Sequence, residues 1–212
     1  MGKISRGILG GFSGRVANVV GSSWKGIAYM KSLPLSVANP RTAAQVAQRS
    51  LFANVAVFAK NILVDAIKPL WDRFAQKQSG YNAFIQANID LFIGETPNPA
   101  ADLIFSQGQM ALTPIDTLVG TVGLTEVAVS WLNDTGEGFK LATDIAYLLA
   151  INKTQGNYKA GTINAVRTDL STTVDLPVAI AADDAVQVYL AFRRADGTIV
   201  SNSSTGSSII TI

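Results

Sequence analysis

The chain has 212 residues, of which 48% are hydrophobic and 15% are charged. An average soluble chain has roughly 25% charged residues, so this composition fits one large or two small packed domains and excludes a chain that is disordered overall. The sequence contains no Cys and no His. This excludes disulfides, Cys and His metal ligands, Cys nucleophiles, Ser-His triads and imidazole acid–base catalysis.

The net charge of +2 is unevenly distributed along the chain. Residues 1–80 contain 11 basic and 2 acidic residues, a net charge of +9, whereas residues 81–212 contain 6 basic and 13 acidic residues, a net charge of −7. This asymmetry is typical of two kinds of protein. One has a basic end for nucleic acid, and the other packs the opposite ends of neighbouring copies against each other.

Residues 1–40 are predicted to form a glycine-rich extended arm. Seven of the 18 glycines lie in residues 1–38, among apolar and aromatic side chains. Because glycine costs a helix about 1 kcal/mol per position, extended or turning backbone is favoured. The arm is expected to contact its own domain or a neighbouring subunit, and the alternative is a pair of short strands in the protein's own sheet. The residues expected to make assembly contacts are Phe12, Arg15, Trp24, Lys25 and Tyr29.

The first residues imitate a signal peptide, since Lys3 and Arg6 precede the apolar pair Ile8 and Leu9. Arg15 interrupts the apolar stretch that export requires, so the chain is expected to remain in the cytoplasm at synthesis. Polar or charged residues also interrupt every apolar stretch before the roughly 18 to 20 residues of a membrane span. No membrane association is predicted.

Residues 41–94 are predicted to be helical. Thr42 and Gln45 have the spacing of a capping box, and Pro40 disfavours helix before them. Apolar residues then recur at three- and four-residue steps, which predicts a helix from about 42 to 67 that ends near Pro69. A short helical turn over 70–74 and a further helix from Ser79 to Gly94 complete a helical hairpin. Its apolar faces are expected to pack on each other rather than to bind a cofactor.

Residues 95–114 are predicted to be a linker and first β segment, followed by an immunoglobulin-like β-sandwich over residues 115–212. Beyond the linker, apolar residues alternate with polar ones, with Gly, Asp and Asn at intervals of about ten residues. The predicted strands are 118–124, 127–131, 145–151, 171–176, 186–192, 198–201 and 208–212, with a hairpin turn over Arg194–Thr198. Seven strands predict an antiparallel sandwich of immunoglobulin or fibronectin-III type, with Trp131 as its core aromatic residue. The fold class is therefore α+β: an arm, a helical hairpin and a sandwich.

No motif assigns a reaction, and we expect neither enzyme activity nor a cofactor or metal. The glycines from Gly10 to Arg15 lack the Gly-Lys-Ser/Thr ending of a phosphate loop. The pairs Asp183–Asp184 and Asp134–Glu137 have the composition of a glycosidase pair or a calcium site, but they fall between predicted strands, where Asp usually caps a turn.

Nucleic-acid binding is predicted to be weak and non-specific at most. The N-terminal half offers scattered basic residues for phosphates and two aromatic residues, Trp24 and Tyr29, for base stacking. These basic residues are spaced rather than clustered, and the acidic half of the chain repels a duplex.

Three motifs carry a family resemblance. They are the segment from Gly7 to Val16, the segment from Asn18 to Gly26, and Asn39-Pro40-Arg41-Thr42 with Gln45, Gln48 and Arg49. Together they resemble the opening of an uncharacterised family of bacteroidete genomes and their tailed phages. The C-terminal run from Leu176 to Ser201 is similar to the ending of that family, so the resemblance spans nearly the full chain.

The resemblance implies a component of a phage or prophage particle and no catalytic residues, because the family has no assigned activity. We therefore expect a non-enzymatic structural protein of a bacteriophage virion that is capsid-, neck- or tail-associated. Its expected partners are copies of itself and other virion proteins, and its expected location is the virion after synthesis in the bacterial cytoplasm. The alternatives are a nucleic-acid-associated protein that uses the basic half, and a carbohydrate- or surface-binding module with an exposed Trp or Tyr platform.

Overall fold

The computed structural model describes residues 3–4, 10–24, 27–36, 39–92, 96–97 and 103–209. The chain divides into two compact units, residues 1–45 and residues 46–212. In the described part a small sheet comes first, helices follow, and longer strands occupy the C-terminal half. The mixture of helix and antiparallel sheet confirms the expected α+β class.

The first unit contains a four-stranded antiparallel sheet in the order β1-β2-β3-β4. The strands are β1 (Lys3–Ile4), β2 (Phe12–Val16), β3 (Val19–Trp24) and β4 (Ile27–Ser32). The structure thus differs from the predicted extended arm. It also differs from the alternative of a pair of short strands in the protein's own sheet, because four strands pair with one another as a separate sheet. β-Branched Val and Ile favour extended backbone, and the intervening glycines let neighbouring segments approach closely.

The helices begin where the sequence predicts and end earlier. They are α1 (Ala43–Asn61), a π-helical turn (Leu63–Ile67), α2 (Lys68–Trp71), α3 (Gly80–Asn88) and a 3-10 turn (Ile89–Leu91). The helix predicted from Ser79 to Gly94 ends at Asn88 and continues only as a 3-10 turn to Leu91, because Phe92 pairs with Pro97 in a β-bridge. The predicted single helix over 42–67 is wrong, because α1 ends at Asn61 and the chain then bends by 69°. The predicted stop at Pro69 is also wrong. Pro69 lies near the start of α2, where its missing N–H needs no partner.

The described residues include no single helix that is long and apolar enough to cross a membrane. Helix α1 and the helical segment that follows it satisfy the length and composition criteria only as a bent pair.

The C-terminal strands form two antiparallel sheets. They are β5 (Ile115–Gly120), β6 (Glu126–Trp131), β7 (Ile145–Asn152), β8 (Asn157–Val166), β9 (Ser171–Asp175), β10 (Ala185–Arg193) and β11 (Ser204–Ile209). One sheet has the order β5-β6-β9 and the other the order β11-β10-β7-β8. The two sheets enclose one apolar cluster that includes Val127, Val129 and Leu148. This arrangement confirms the predicted β-sandwich.

Four strand predictions need correction. The first predicted strand lies at Ile115–Gly120 rather than at 118–124, because the chain turns at residues 122 and 123. Strand β8 was not predicted, because its alternation of apolar and polar residues is weak. Among its described side chains, Ala160 and Ala165 are the buried ones. The predicted strand over 198–201 forms only isolated bridges. Ser201 Oγ accepts a hydrogen bond from Phe192 N, and this bond takes the chain out of the regular ladder. The last strand lies at 204–209 rather than 208–212, and residues 210–212 lie outside the described residues.

The second unit has three layers. One face of the β11-β10-β7-β8 sheet packs on the other sheet through Leu148, Val188 and Leu190. Its opposite face packs on the helices through Tyr147, Leu149 and Tyr189, which share a cluster with apolar helix residues. The helices also contact each other, with the rings of Phe58 and Phe84 stacked at 6.4 Å. The segments predicted as separate helical and sandwich domains therefore share one core.

Candidate assembly surface

Strand register divides the side chains of the N-terminal sheet between two faces. Gly14 pairs with Gly21, and Gly21 pairs with Met30, so these three residues share one face. Arg15 pairs with Val20, and Val20 pairs with Lys31, so these three share the other. Because side chains alternate along each strand, the first face, here called the glycine face, includes Phe12, Gly14, Val16, Val19, Gly21, Ser23, Ala28, Met30 and Ser32. The second, the basic face, includes Lys3, Ser13, Arg15, Val20, Ser22, Ile27, Tyr29 and Lys31.

Two glycines shape the glycine face. A Cβ at position 21 would lie 2.6 Å from Cδ2 of Phe12, so the ring occupies the space that a larger residue would fill. A Cβ at position 11 would overlap the Cβ of Ala28. An open cavity of about 530 Å³ occurs in the second unit, between α1 and β8, whereas the cavity beside Phe12 and Ala28 measures about 340 Å³. The cavity on the N-terminal sheet is therefore the smaller of the two.

The basic face concentrates positive charge. Lys3, Arg15 and Lys31 are exposed, and Arg15 Nε donates a hydrogen bond to the carbonyl oxygen of Ala17 at 3.0 Å. The sequence has no Asp or Glu before Asp65, so residues 1–45 contain six basic residues and no acidic residue. This unit consequently presents a positive potential to any partner.

The N-terminal sheet has little core of its own. Among the described residues of 1–45, Gly21 alone is buried. Ile27 is 67% exposed and Met30 is 70% exposed, although the two lie on opposite faces. A sheet of this size usually needs one apolar face covered to be stable in water. Both faces are therefore candidates for contact with another surface.

The structure brings together some of the predicted assembly residues. Phe12 lies on the glycine face, whereas Arg15 and Tyr29 lie on the basic face. Trp24 is the last residue of β3, and its side chain is outside the described part. Lys25 also lies outside the described residues.

The predicted cap lies at the start of α1. Thr42 Oγ1 accepts a hydrogen bond from the backbone N–H of Gln45 at 3.4 Å, and the helix begins at Ala43. This bond satisfies one of the free N–H groups of the first turn.

Trp131 lies in the sandwich core and is 3% exposed. Its ring packs edge-on against Phe192, with centroids 5.5 Å apart, and its Nε1 donates to the carbonyl oxygen of Arg167 at 2.9 Å. Trp71 is buried among the helices, and its Nε1 donates to the carbonyl oxygen of Phe105. Neither of these tryptophans offers the exposed platform that a carbohydrate-binding module requires.

A buried ionic cluster closes one end of the sandwich. Arg167 is fully buried, with its guanidinium 4.0 Å from the ring centre of Phe192. It donates hydrogen bonds to Asp134, and to Asp144 from Nη2 at 3.2 Å. Lys140 Nζ contacts the second oxygen of Asp134 at 2.6 Å. Two cations and two carboxylates thus neutralise each other away from water.

Sequence reasoning missed this ionic cluster. The turn predicted at Asp134 and Glu137 is present, since the Glu137 N–H donates to the carbonyl oxygen of Asp134 at 3.3 Å. The carboxylate of Asp134 also belongs to the cluster, whereas that of Glu137 is exposed and 3.7 Å from Lys140. The signal was Arg167 itself, because it is the one charged residue between Lys159 and Asp169 and directly follows strand β8.

The pKa values of two buried carboxyl groups are lowered. Burial favours the neutral form of Asp134, but hydrogen bonds from Lys140 and Thr113 and the charge of Arg167 outweigh burial and lower its pKa. Burial likewise opposes the charge of Asp184, but hydrogen bonds from Asn152, Ala181 and Gln155 lower its pKa. Both carboxylates are held as hydrogen-bond acceptors. Neither is positioned as a general acid.

Within the described residues, no group of three or more Asp or Glu side chains is arranged to hold a metal ion. Asp183 has φ of 63°, and Asp184 accepts the Ala181 N–H at 2.7 Å, as expected of a turn.

Three solved structures are similar to about half of this chain, and one of them is a fibronectin type-III domain. The FN1–FN3 domains of chicken CNTN1 show 12% identity over 50% of this chain, which spans about a third (34%) of that fragment, with a TM-score of 0.36. The chitinase ChiW of a Paenibacillus species shows 10% identity over 50% of this chain and 9% of its own, with a TM-score of 0.32. The type-III domain of human fibronectin type III domain containing protein 3 shows 15% identity over 50% of this chain and 89% of its own, with a TM-score of 0.31.

The comparison with curated proteins finds no match. The sequence model of a protein family does match, over residues 11–206, and therefore includes most of the N-terminal sheet, the helices and the sandwich. The expectation of an uncharacterised family is confirmed. The chain belongs to the family of unknown function DUF6266.

Proposed function

We propose that this chain is a non-enzymatic structural protein that assembles with copies of itself through its N-terminal sheet. The observation that carries the proposal is the exposure of that sheet. Val16, Ile27 and Met30 are more than half exposed although they lie in or at the ends of regular strands. Exposed apolar side chains on both faces of one small sheet are typical of a protein–protein contact.

Energetics support an intermolecular role for the sheet. Ordering the backbone costs roughly 1 to 2 kcal/mol per residue, and burial of apolar area returns about 25 cal/mol per Å². The described side chains of residues 1–45 bury too little surface to offset this cost within their own unit. Contact with a second chain supplies the missing burial.

The family resemblance supports a more specific setting. The motifs of residues 7–26 and 39–49 resemble a family of bacteroidete genomes and their tailed phages, and such a setting makes the chain a particle component with other virion proteins as partners. In that setting the three-layer second unit acts as a rigid body and the N-terminal sheet as its connector.

Sedimentation velocity of the full chain over a series of concentrations tests self-assembly. We expect a concentration-dependent shift from monomer to larger species, which Ile27→Ser with Tyr29→Ser weakens by at least about tenfold because it removes apolar contact area. The matched control is Val57→Ser with Val64→Ser on the helices, whose side chains are 59% and 69% exposed. A full chain that stays monomeric throughout would refute self-assembly.

The virion setting has a separate test. Particles purified from the cells that encode the protein are analysed by mass spectrometry, with the chain expected in stoichiometric amounts. Its absence from particles that contain their capsid and tail proteins would refute the setting and leave self-assembly standing.

A further inference from the structure

The strands of the N-terminal sheet and those of the outer sandwich sheet have opposite charges. Strands β1 to β4 contain Lys3, Arg15 and Lys31 and no acidic residue. Strands β5, β6 and β9 contain Asp116, Glu126 and Asp175 and no basic residue. All six charged side chains are exposed. Three cations on one sheet are thus matched in number by three anions on another.

The acidic surface contains a like-charge pair. Glu126 and Asp175 lie directly opposite each other on β6 and β9. Their side chains point outward, because the inward positions Val127 and Val174 are buried between the two sheets. Carboxylates in directly opposite positions of an antiparallel pair repel each other. A cationic surface placed over them converts this repulsion into attraction.

Both surfaces also have an apolar component. On the basic face, Val20 lies between Arg15 and Lys31 in one row across three strands. On the outer sheet, Val119 pairs with Ala128, which pairs with Thr173, and Val119 is 57% exposed. Two sheets with an apolar centre and complementary charges are suited to face-to-face packing about 10 Å apart.

We propose that the basic face of the N-terminal sheet of one copy docks on the outer β5-β6-β9 face of a second copy, with Arg15 and Lys31 near Glu126 and Asp175. The inference rests on the proposed self-assembly and identifies its partner surface. Because the two surfaces differ, the contact is heterologous and joins copies head to tail, into a ring or an open filament.

Charge reversal on each surface tests the proposal in the full chain. The basic-face variant is Arg15→Glu with Lys31→Glu, and the acidic-face variant is Glu126→Lys with Asp175→Lys. Each variant alone is expected to associate at least about tenfold more weakly than the wild type, because like charges then meet at the contact. An equimolar mixture of the two variants is expected to recover association, since each reversed surface meets its complement.

The matched control for the basic-face variant is Lys153→Glu with Lys159→Glu, which makes the same change in net charge at exposed positions of the second unit. It should associate as the wild type does. Circular dichroism and thermal unfolding of every variant establish that the fold is retained. Association of the wild type should also weaken as salt is raised, as expected for exposed charges.

Two outcomes overturn the inference, and a third separates it from the proposed function. Variants that fail to recover association when mixed, while the wild type associates, refute this pairing and leave self-assembly intact. In the second outcome, the wild type binds a single-stranded oligonucleotide of about 30 nucleotides, and Arg15→Glu with Lys31→Glu abolishes this binding. If the acidic-face variant also associates normally, the basic face is assigned to nucleic acid instead. A monomeric wild type refutes the proposed function itself.

Discussion

The N-terminal sheet and the second unit both contain antiparallel strands. Only in the second unit do further layers bury the faces of those strands. Strand β4 is exposed at all six residues, whereas β7 and β10 are buried on both faces over most of their length. A strand becomes part of a stable core only when further layers remove its apolar faces from water. The comparison distinguishes a unit whose strands are covered on both faces from a small sheet whose strands are left exposed.

The two units differ in the same way in their charges. In the second unit Arg167 and Lys140 meet Asp134 and Asp144 inside the fold. Residues 1–45 contain no carboxylate to meet their cations. The second unit therefore compensates these charges internally, and the cations of the N-terminal sheet have no counter-charge within residues 1–45.

The largest expected effect on stability comes from removing the central cation of the buried cluster. Arg167→Ala leaves Asp144 and Asp134 without their guanidinium and opens a cavity beside Phe192, so the free energy of unfolding should fall by about 5 kcal/mol. Urea unfolding measures this loss. Arg15→Ala in the N-terminal sheet is the matched control and should change it by less than about 0.5 kcal/mol. Equal losses in the two variants would contradict the distinction between the units.

Trp131→Ala should cost about 3 to 5 kcal/mol, because it removes a large buried ring and its hydrogen bond to Arg167. The same measurement on Phe139→Ala, whose side chain is 54% exposed in the same unit, should show less than about 1 kcal/mol. A small effect at Trp131 would mean that the sandwich core is loosely packed.

Acid sensitivity should reside in the second unit. The pKa values of Asp134 and Asp184 are lowered in the folded protein, so their ionised forms favour folding. This stabilisation is fully present above the pKa of the unfolded chain, about 4, and is lost as pH falls through the lower folded pKa. The free energy of unfolding in urea should fall from about pH 7 to about pH 3. In Asp184→Asn this pH dependence should be smaller, because the variant lacks one of the two carboxyl groups. An unchanged pH profile in that variant would show that Asp184 is not linked to folding.

Most strands of the sandwich could be predicted from the sequence, but the packing of the helices on it as a third layer could not. The period of two and the turn residues identified β6, β7, β9 and β10, because side-chain alternation is a local property. The uninterrupted apolar runs from Ile145 to Ile151 in β7 and from Val188 to Phe192 in β10 indicate burial on both faces. The cover supplied by the helices is a long-range contact, and the amphipathic pattern of α1 does not specify which surface it meets.

The candidate surface was predictable in composition and not in geometry. Glycine density and the absence of acidic residues singled out residues 1–40 from the sequence. The division of Phe12 from Arg15 and Tyr29 between two faces depends on strand register, which turns such as the one at Ala17, with φ of 47°, determine. Arg167 was missed because its partners Asp134 and Asp144 lie more than 20 positions away.

The smallest expected effect on the stability of the second unit, and the largest on assembly, comes from deleting residues 2–38. The deletion keeps Thr42 and its bond to Gln45, so α1 retains its start. Because residues 46–212 form a compact unit with their own core, their free energy of unfolding should change by less than about 1 kcal/mol. Circular dichroism should retain the helical signal, and sedimentation should show a monomer. Gly21→Val in the full chain would collide with the carbonyl oxygen and the ring of Phe12. It should disturb the pairing of β2 with β3 that positions the basic face, and so weaken assembly without shortening the chain. A truncated chain that unfolds would instead make residues 2–38 part of the core of the second unit.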